Sequence, residues 1–270
     1  MKLEDVISEK WLDGRALQAE YTGADPFPHI VMPDFVKPSL LESVLDEFPD
    51  LSQLKESVSN YNSGTELKYA SEGMGPLSDS AFTLTSYINS GVMMDWLSDV
   101  TGINDSLISD PYLRGGGYHE IKRGGFLKVH ADFNKHERYF IDRRLNLLIY
   151  LNKSWDRSWG GGLQFFDRSM RRSLKTIYPD FNTAVLFTTT SETLHGHPDP
   201  LTCPVDRSRK SLAYYFYSAG EGLLGTESKR HTTLFYPRQG ESLQAGTRNV
   251  RAKINDFIPP ILSRAIRRLF

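Results

Sequence analysis

The chain lacks several features that would assign it to a class at once. Its single cysteine in 270 residues, Cys203, excludes an internal disulfide and is typical of a reducing compartment. No apolar run is long enough to cross a bilayer, and the opening MKLEDVISEKWLDG lacks the basic start and apolar stretch of a signal peptide. The formal net charge is −1, which gives no overall attraction to nucleic acid. These absences predict a cytoplasmic protein with no transmembrane segment and no nucleic-acid partner.

We expect a single domain over residues 1–270, because hydrophobic residues make up 39% of the chain and can build a substantial core. Apolar stripes at helical spacing predict two helices early in the chain, one after Pro38 and one that ends at Gly102. The predicted regions are a helix-rich scaffold, a strand-rich catalytic core and a C-terminal extension, at 1–110, 111–220 and 221–270. The extension contains a basic amphipathic helix, which we expect to dock on the body; membrane-surface attachment or an oligomer formed through this helix is the alternative.

The predicted core consists of short apolar runs bounded by turn residues: FLKVHAD, RLNLLIYLN, LQFFD, TAVLFTT and SLAYYFYS. In the second run, aliphatic residues at alternate positions share one face of a strand. The opposite face mixes polar and apolar groups, as expected of a strand that lines a ligand cavity; its residues are Arg144, Asn146, Leu148 and Tyr150. The set predicts a mainly β fold with flanking helices, whose core is a double-stranded β-helix, or jelly roll, of about eight strands.

His130 and Asp132 lie two residues apart in the first of these runs. Side chains at i and i+2 of a strand project from the same face, so the imidazole and the carboxylate would face one metal ion. Gly124 and Gly125 precede the pair and would permit a close approach of the backbone. A carboxylate at the end of an apolar strand is costly when it is unpaired, and a cation would offset that cost. The pattern therefore predicts a metal site.

The third ligand is expected in LHGHPDP, which contains His195 and His197. We prefer His195, because His197 directly precedes Pro198 in a turn and is expected either behind the metal ligands or at the rim of the site. Two histidines and one carboxylate, with open coordination positions, are typical of non-haem Fe(II) oxygenases. Zinc is the competing metal and would indicate a hydrolase. Among the other histidines, His119 and His136 are weaker ligand candidates, and His29 and His231 are expected to be structural or solvated.

A second binding site is predicted in RSRKSLAYYFYS, where Arg209 and Ser211 share one face of a strand. A guanidinium binds a carboxylate through two hydrogen bonds and stays charged when it is removed from water. Arg209 is therefore a candidate receptor for a carboxylate, with Ser211 beside it. Tyr150 would add a phenol from a neighbouring strand, and Asn146 shares its face. An ordinary solvated basic cluster is the alternative interpretation.

Over residues 111–220 the chain resembles the Fe(II)- and 2-oxoglutarate-dependent oxygenases of the prolyl-4-hydroxylase-like branch. The resemblance is carried by GGGYHEIKRGGFLKVHADF, RRLNLLIYLNKSW, GGGLQFFD, YPDFNTAVLFTT, LHGHPDPL and RSRKSLAYYFYS taken together. The earlier segment DPFPHIVMPDFV is similar to the N-terminal strand of the bacterial members. The resemblance implies that iron is bound by His130, Asp132 and His195. It also implies that Arg209 and Tyr150 hold the distal carboxylate of 2-oxoglutarate.

The activity implied by the resemblance is hydroxylation of an unactivated C–H bond with release of succinate and CO2. Fe(II) is the implied cofactor, 2-oxoglutarate the cosubstrate and ascorbate a candidate reductant. Related halogenases have a small residue at the position of Asp132, so its carboxylate implies hydroxylation. Lys210 is the alternative carboxylate partner if the strand register is shifted by one. A zinc-dependent hydrolase and a ligand-binding jelly roll without turnover remain as alternatives.

The substrate is left open among a protein residue such as proline, a small metabolite such as a free amino acid, and a glycan or lipid-linked precursor. Two loops expected at the mouth of the cavity are rich in basic and aromatic residues, which favours an anionic substrate. The substrate-binding candidates in these loops are Arg138, Trp155, Arg157 and Trp159.

Overall fold

The computed structural model describes residues 2–54, 57–170, 172–219 and 229–242. Within these ranges the chain forms five α-helices: α1 Leu3–Val6, α2 Gly14–Thr22, α3 Pro38–Asp46, α4 Asp79–Ile88 and α5 Gly91–Thr101. None of the helices in these ranges has the length and apolar character needed to cross a membrane. The amphipathic helix predicted in the C-terminal extension lies outside the described residues.

Thirteen strands in the same ranges form one antiparallel sheet. They are β1 His29–Pro33, β2 Val58–Asn62, β3 Glu66–Ser71, β4 Ile108–Ser109, β5 Gly117–Lys122, β6 Phe126–Ala131, β7 Asp142–Tyr150, β8 Leu163–Phe166, β9 Ser173–Ile177, β10 Thr183–Thr188, β11 His195–His197, β12 Ser208–Ser218 and β13 Leu234–Phe235.

Strands β5 to β12 form a jelly roll of two four-stranded halves. The first half has the order β5-β12-β7-β10, and the second has the order β6-β11-β8-β9. Strand β3 joins the halves along one side, because it pairs with β5 and also with β6. Strand β1 extends the first half beyond β10. The predicted fold class, a jelly-roll core of about eight strands with flanking helices, is confirmed.

The helices cover the outer face of the first half. Leu145, Leu147 and Ile149 on β7 are fully buried and belong to one apolar cluster with Leu41 of α3 and Leu97 of α5. The other face of β7 points into the barrel, where Tyr150 and Leu148 join a second, smaller cluster. The prediction from alternation is confirmed for these residues. One strand therefore anchors the helical layer and lines the interior of the barrel at the same time.

The helical prediction before Gly102 needs a correction. The stripe predicted as one helix is two helices, α4 and α5, because Ser90 begins a new one by accepting a hydrogen bond from the amide of Met93 at 3.4 Å. The change of direction leaves two apolar residues of this segment, Phe82 and Val92, 50% exposed. Gly102 ends α5 with φ of 71°, as expected of a helix C-terminus.

Residues 58–71 are a second departure from the expected pattern. They form the hairpin β2–β3, although the sequence predicted only helices and one strand before residue 111. The hairpin sequence VSNYNSGTELKYAS is rich in polar residues, and most of its side chains are partly exposed. Its alternation is therefore weak, and the segment is held in the sheet by its pairing with β5 and β6.

Candidate metal and cosubstrate site

The two predicted histidine ligands lie directly opposite each other on neighbouring strands. His130 of β6 pairs in register with His195 of β11, and their ring centroids are 4.4 Å apart. Each ring is oriented by a carbonyl two residues earlier in its own strand. His130 Nδ1 is 2.8 Å from the carbonyl of Lys128, and His195 Nδ1 is 3.0 Å from that of Thr193. A carbonyl only accepts, so each Nδ1 carries the proton and each Nε2 keeps its lone pair.

Both of these Nε2 atoms face the carboxylate of Asp132, the residue that follows β6. The distance is 3.5 Å from His130 Nε2 to Oδ1 and 3.4 Å from His195 Nε2 to Oδ2. Ligands about 2.1 Å from an ion and at right angles to one another lie about 3 Å apart, so the observed spacing suits one metal ion. All three candidate ligand atoms lie within 4.8 Å of one another and all three residues are buried. The donor set fits Fe(II) with open coordination positions.

The backbone before the ligands approaches its neighbours closely. A Cβ added at Gly125 would lie 2.7 Å from the carbonyl oxygen of Leu67 on β3, and 2.9 Å from that of Lys122. A Cβ added at Gly196, between the two histidines of β11, would lie 2.8 Å from the carbonyl oxygen of Leu127. The close approach predicted before His130 is therefore present at Gly125 but not at Gly124, which has open space around it, and Gly196 also brings β11 against β6.

The charge state of the candidate ligands is the one that binds a metal. Burial raises the pKa of Asp132, but Arg143 and then His195 and His130 outweigh burial and hold that pKa well below its usual range. Burial lowers the pKa of His195 from 6.5 to about 4. At neutral pH the carboxylate is therefore ionised and the His195 imidazole is neutral.

Asn146 and Arg143 hold the Asp132 carboxylate in place. The Asn146 amide donates to Asp132 Oδ2 at 2.7 Å, and Arg143 Nη2 lies 3.3 Å from the same oxygen. Arg143 also donates to Asn146 Oδ1 from Nε at 2.9 Å and from Nη2 at 2.6 Å. Asn146, predicted as a cosubstrate residue, thus contacts the metal-ligand carboxylate. The guanidinium of Arg143 lies over the ring of Tyr215, 3.5 Å from its centroid.

Arg143 is a site residue that the sequence interpretation missed. Alternation predicted that Arg144 would share the inner face of β7, but Arg144 pairs with Asp105 at the outer side. The register between β7 and β12 shifts between Phe216 and Tyr217, which oppose Leu145 and Arg143, so that β7 has one extra residue there. Such a bulge exchanges the faces beyond it and brings Arg143 inside. The prediction for Arg144 is wrong for this reason.

The predicted carboxylate receptor is assembled from strands of the other half. Arg209 of β12 donates from Nε to the carbonyl of Gly161 at 2.7 Å and from Nη2 to the Tyr150 hydroxyl at 3.1 Å. Arg209 is only 5% exposed and Tyr150 is fully buried. Burial raises the pKa of Tyr150, so its hydroxyl stays protonated at neutral pH. Ser211 lies opposite Tyr150 in the sheet and is also buried.

Arg209 has no carboxylate partner in the described part of the chain. Every ion pair found there within 4.0 Å involves other residues. A buried cation without a counter-ion is costly, and an anionic ligand would remove that cost. Lys210, the alternative partner, faces the opposite way, with its Nζ 4.9 Å from the ring centre of Phe48. The register is therefore the one that brings Arg209, and not Lys210, to Tyr150.

The remaining histidines lie apart from the three ligands or take other roles. His197 is 3% exposed, so of its two predicted places the one at the rim is wrong; β11 continues through it into the interior. His136 Nδ1 accepts from the amide of Arg138 at 3.1 Å. The others make the following contacts: His119 with the carbonyl of Gly115, His29 with that of Phe27, and His231 with the Ser191 hydroxyl.

A cavity of about 340 Å³ opens beside the site at Phe133, the neighbour of Asp132. Its charged lining residues are Glu72, Arg114, Lys135, Glu137 and Arg230. Residues 230–233 form one of its walls, because β13 pairs with β6 and sets Phe235 opposite His130. The sequence offered no strong signal for this wall, since β13 is two residues long.

The four predicted substrate residues do not line this cavity. Arg138 is exposed and lies over the ring of Tyr112 at 5.0 Å. The indole of Trp155 is buried beside Cys203 and donates to the carbonyl of Gly160 at 3.0 Å. Trp159 packs against Trp155, and Arg157 lies over Tyr178. Trp155, Arg157 and Trp159 belong to one loop, and the two tryptophans pack in a separate apolar cluster. The aromatic residues of this loop therefore serve packing. Cys203 is buried in that cluster.

Comparison with known protein families and solved structures indicates the kind of protein to which this site belongs. Residues 116–217 match the model of the 2OG-Fe(II) oxygenase superfamily. Those residues belong to that superfamily. The chain therefore contains a 2-oxoglutarate-dependent non-haem iron dioxygenase domain, whose cofactor and cosubstrate are Fe(II) and 2-oxoglutarate. No curated protein sequence matches it closely enough to count as a relative.

Two solved structures show how widely this oxygenase fold is shared. A prolyl hydroxylase from Trichoplax adhaerens, in complex with a peptide of a hypoxia-inducible factor, has a TM-score of 0.57 at 16% identity and covers 81% of this chain and 96% of its own. A prolyl-4-hydroxylase from Pseudomonas putida has a TM-score of 0.53 at 14% identity, and the match covers 76% of this chain and 98% of that one. The oxygenase is thus prolyl-hydroxylase-like in fold.

Proposed function

We propose that this oxygenase binds Fe(II) through His130, Asp132 and His195 and hydroxylates a C–H bond of a protein residue or a small molecule. The distal carboxylate of 2-oxoglutarate is held by Arg209 and Tyr150. The observation that carries the proposal is the buried guanidinium of Arg209. It has no counter-ion among the described residues and lies in the same barrel as three converging metal-ligand atoms.

When bound, Fe(II) and 2-oxoglutarate supply the oxidant that attacks the C–H bond, and the protein positions the partners. His130 and His195 present Nε2 lone pairs, because their Nδ1 atoms are fixed by backbone carbonyls. Asn146 fixes the orientation of the Asp132 carboxylate and keeps one of its oxygens engaged. The guanidinium of Arg143, which lies over the ring of Tyr215, is 3.3 Å from the Asp132 carboxylate and balances its charge.

The substrate is proposed to enter through the cavity beside Phe133. Two of its basic residues are neutralised: Arg114 by Glu137, and Lys135 by Asp142 at 2.7 Å. Arg230 lies over the ring of Phe140 and has no carboxylate within 4.0 Å in the described ranges. An anionic group on the substrate would be met by Arg230, which takes the role that the sequence assigned to Arg138 and Arg157. The prolyl hydroxylases of similar fold support a protein residue as one candidate substrate.

Anaerobic titration of the metal-free protein with Fe(II) and then with 2-oxoglutarate tests the proposal. The chelate is expected to give a weak visible charge-transfer band in the wild type. His130→Ala and Asp132→Ala should abolish the band, whereas His29→Phe should retain it, because His29 is not one of the three candidate ligands and contacts the carbonyl of Phe27 through Nδ1. A full band in either ligand variant, or stoichiometric zinc without any band, would contradict the assignment. A cytoplasmic location and the use of ascorbate stay predictions from the sequence.

A further inference from the structure

His197 is a buried polar side chain that the site described so far does not use. It is the last residue of β11, two positions after His195, and lies opposite Leu127 of β6. It is 3% exposed, and neither Nδ1 nor Nε2 has a hydrogen-bond partner among the described residues. By contrast, His130 and His195 each engage Nδ1 with a carbonyl. Leaving a buried donor and a buried acceptor unpaired is costly, so an unpaired imidazole here indicates that a ligand completes it.

The surroundings of His197 indicate which ligand. Strand β11 pairs antiparallel with β8, with His195 opposite Phe165 and Gly196 opposite Gln164, so His197 lies towards the start of β8. The chain just before β8 contains Gly161, whose carbonyl accepts the hydrogen bond from Arg209. A neutral imidazole offers one N–H donor in either tautomer. Arg209 and Lys68 are cations whose charges act on the ring, so the environment is suited to an anion. Lys68 is already paired with Glu66 at 3.4 Å, which leaves Arg209 as the unpaired cation in these surroundings.

A carboxylate held by Arg209 and Tyr150 has room for a further donor. Its two oxygens offer about four lone-pair directions. Arg209 already uses Nε for the carbonyl of Gly161 and one N–H of Nη2 for the Tyr150 hydroxyl, so only the rest of Nη2 and Nη1 are left for the ligand. A donor from the opposite half of the barrel would bind a lone pair that faces away from Arg209.

We propose that His197 donates a hydrogen bond to the distal carboxylate of 2-oxoglutarate, as a third member of the Arg209–Tyr150 receptor. The proposal rests on the proposed function and deepens it. It assigns His197 to cosubstrate binding and not to the metal, whose candidate ligand group contains only His130, Asp132 and His195 in the described part of the chain. His197 then contributes to the choice of a dicarboxylate over a 2-oxo acid with an apolar end.

The test compares two ligands that differ only at the distal end. Binding of 2-oxoglutarate and of 2-oxovalerate, which has a methyl group in place of the distal carboxylate, is measured by anaerobic calorimetry on Mn(II)-loaded protein. The variants are His197→Val and His197→Phe, which remove the donor and keep an apolar side chain, and His197→Asn, which restores an N–H group. Loss of a hydrogen bond to a charged group should weaken 2-oxoglutarate binding about tenfold or more in the first two variants. Binding of 2-oxovalerate and of Mn(II) should be unchanged, and His197→Asn should recover part of the loss.

The opposite results would overturn the proposal. Wild-type affinity for 2-oxoglutarate in a folded His197→Val or His197→Phe protein would show that the ring makes no such bond. An equal loss of affinity for both ligands would show that the substitution affects the end of the ligand that binds the metal. If the wild type bound 2-oxovalerate and 2-oxoglutarate equally, the distal receptor itself, and with it the proposed function, would be wrong. If only the role of His197 were wrong, the wild type would still prefer 2-oxoglutarate and the His197 variants would keep the same preference.

Discussion

Replacing Arg209 by methionine removes the charge of the proposed receptor while keeping a long, flexible side chain in the same space. In the absence of ligand, the change deletes hydrogen bonds to Gly161 and Tyr150, each worth about 1.5–3 kcal/mol when the donor is charged. It also removes a buried cation with no counter-ion in the described residues, which relieves a desolvation penalty of several kcal/mol. The two effects oppose each other, so we expect the unfolding free energy of the ligand-free protein to change by less than about 2 kcal/mol.

The ligand-dependent part of the stability should change much more. At a 2-oxoglutarate concentration of 100 times its Kd, binding adds about 2.7 kcal/mol to the unfolding free energy of the wild type. Truncating one partner of a buried charge pair costs about 2–5 kcal/mol of binding, and a value near 2.7 kcal/mol corresponds to a Kd about 100-fold higher. At the same ligand concentration the variant would then gain only about 0.4 kcal/mol.

The assay is urea unfolding of Mn(II)-loaded protein without oxygen, with and without 2-oxoglutarate. Lys210→Met is the matched control, because Lys210 is the next residue of the strand and its Nζ lies over Phe48 on the other face. The control should keep the full increment of about 2.7 kcal/mol. An Arg209→Met protein that also kept it would refute the receptor. A loss of more than about 4 kcal/mol without ligand would show instead that Arg209 is mainly structural.

Three further predictions follow from the geometry of the site. Asn146→Ala should free the Asp132 carboxylate and weaken Fe(II) binding about 10- to 100-fold in a competitive chelator titration; unchanged affinity would contradict the role of the amide. Gly125→Ala should lower the unfolding free energy in urea by about 1–3 kcal/mol, because the new Cβ would meet two carbonyl oxygens. Gly75→Ala is the control, because Gly75 has open space around it and no positive φ, and an equal loss there would remove the packing argument. The metal-free protein should lose stability as the pH falls from 6.5 to about 4, because His195 takes up a proton more readily when it is unfolded. The slope is about 1.4 kcal/mol per pH unit for each such imidazole, and a flat profile in urea unfolding over this range would contradict it.

The parts of the molecule that the sequence predicted are those in which local pattern and burial agree. Strand β7 has a fully aliphatic face towards the helices, and its opposite face carries Tyr150 into the barrel. The alternation of residue types was therefore enough to predict this strand and its two faces. The pair His130 and Asp132 was recognisable because i and i+2 share a face. The distant His195 was recognisable through the resemblance, and the structure brings it within reach of Asp132.

The parts that were missed depend on contacts between distant segments. Arg143 replaces Arg144 inside the barrel because of a bulge against β12, which no local pattern reports. The hairpin β2–β3 is rich in polar residues and is held in the sheet by β5 and β6. Trp155 and Trp159 were assigned to a substrate loop from composition alone, but an aromatic loop can equally well pack on itself.

The two halves of the jelly roll divide the proposed site between them. The metal ligands His130 and His195 belong to the half with β6 and β11, whereas Arg209 and Tyr150 belong to the half with β12 and β7. A 2-oxoglutarate molecule bound to both would span the barrel and connect its walls. The separation of the walls would then determine the length of cosubstrate that fits. A change in the spacing of the two halves, made far from any ligand residue, would alter which length of dicarboxylic acid the enzyme accepts.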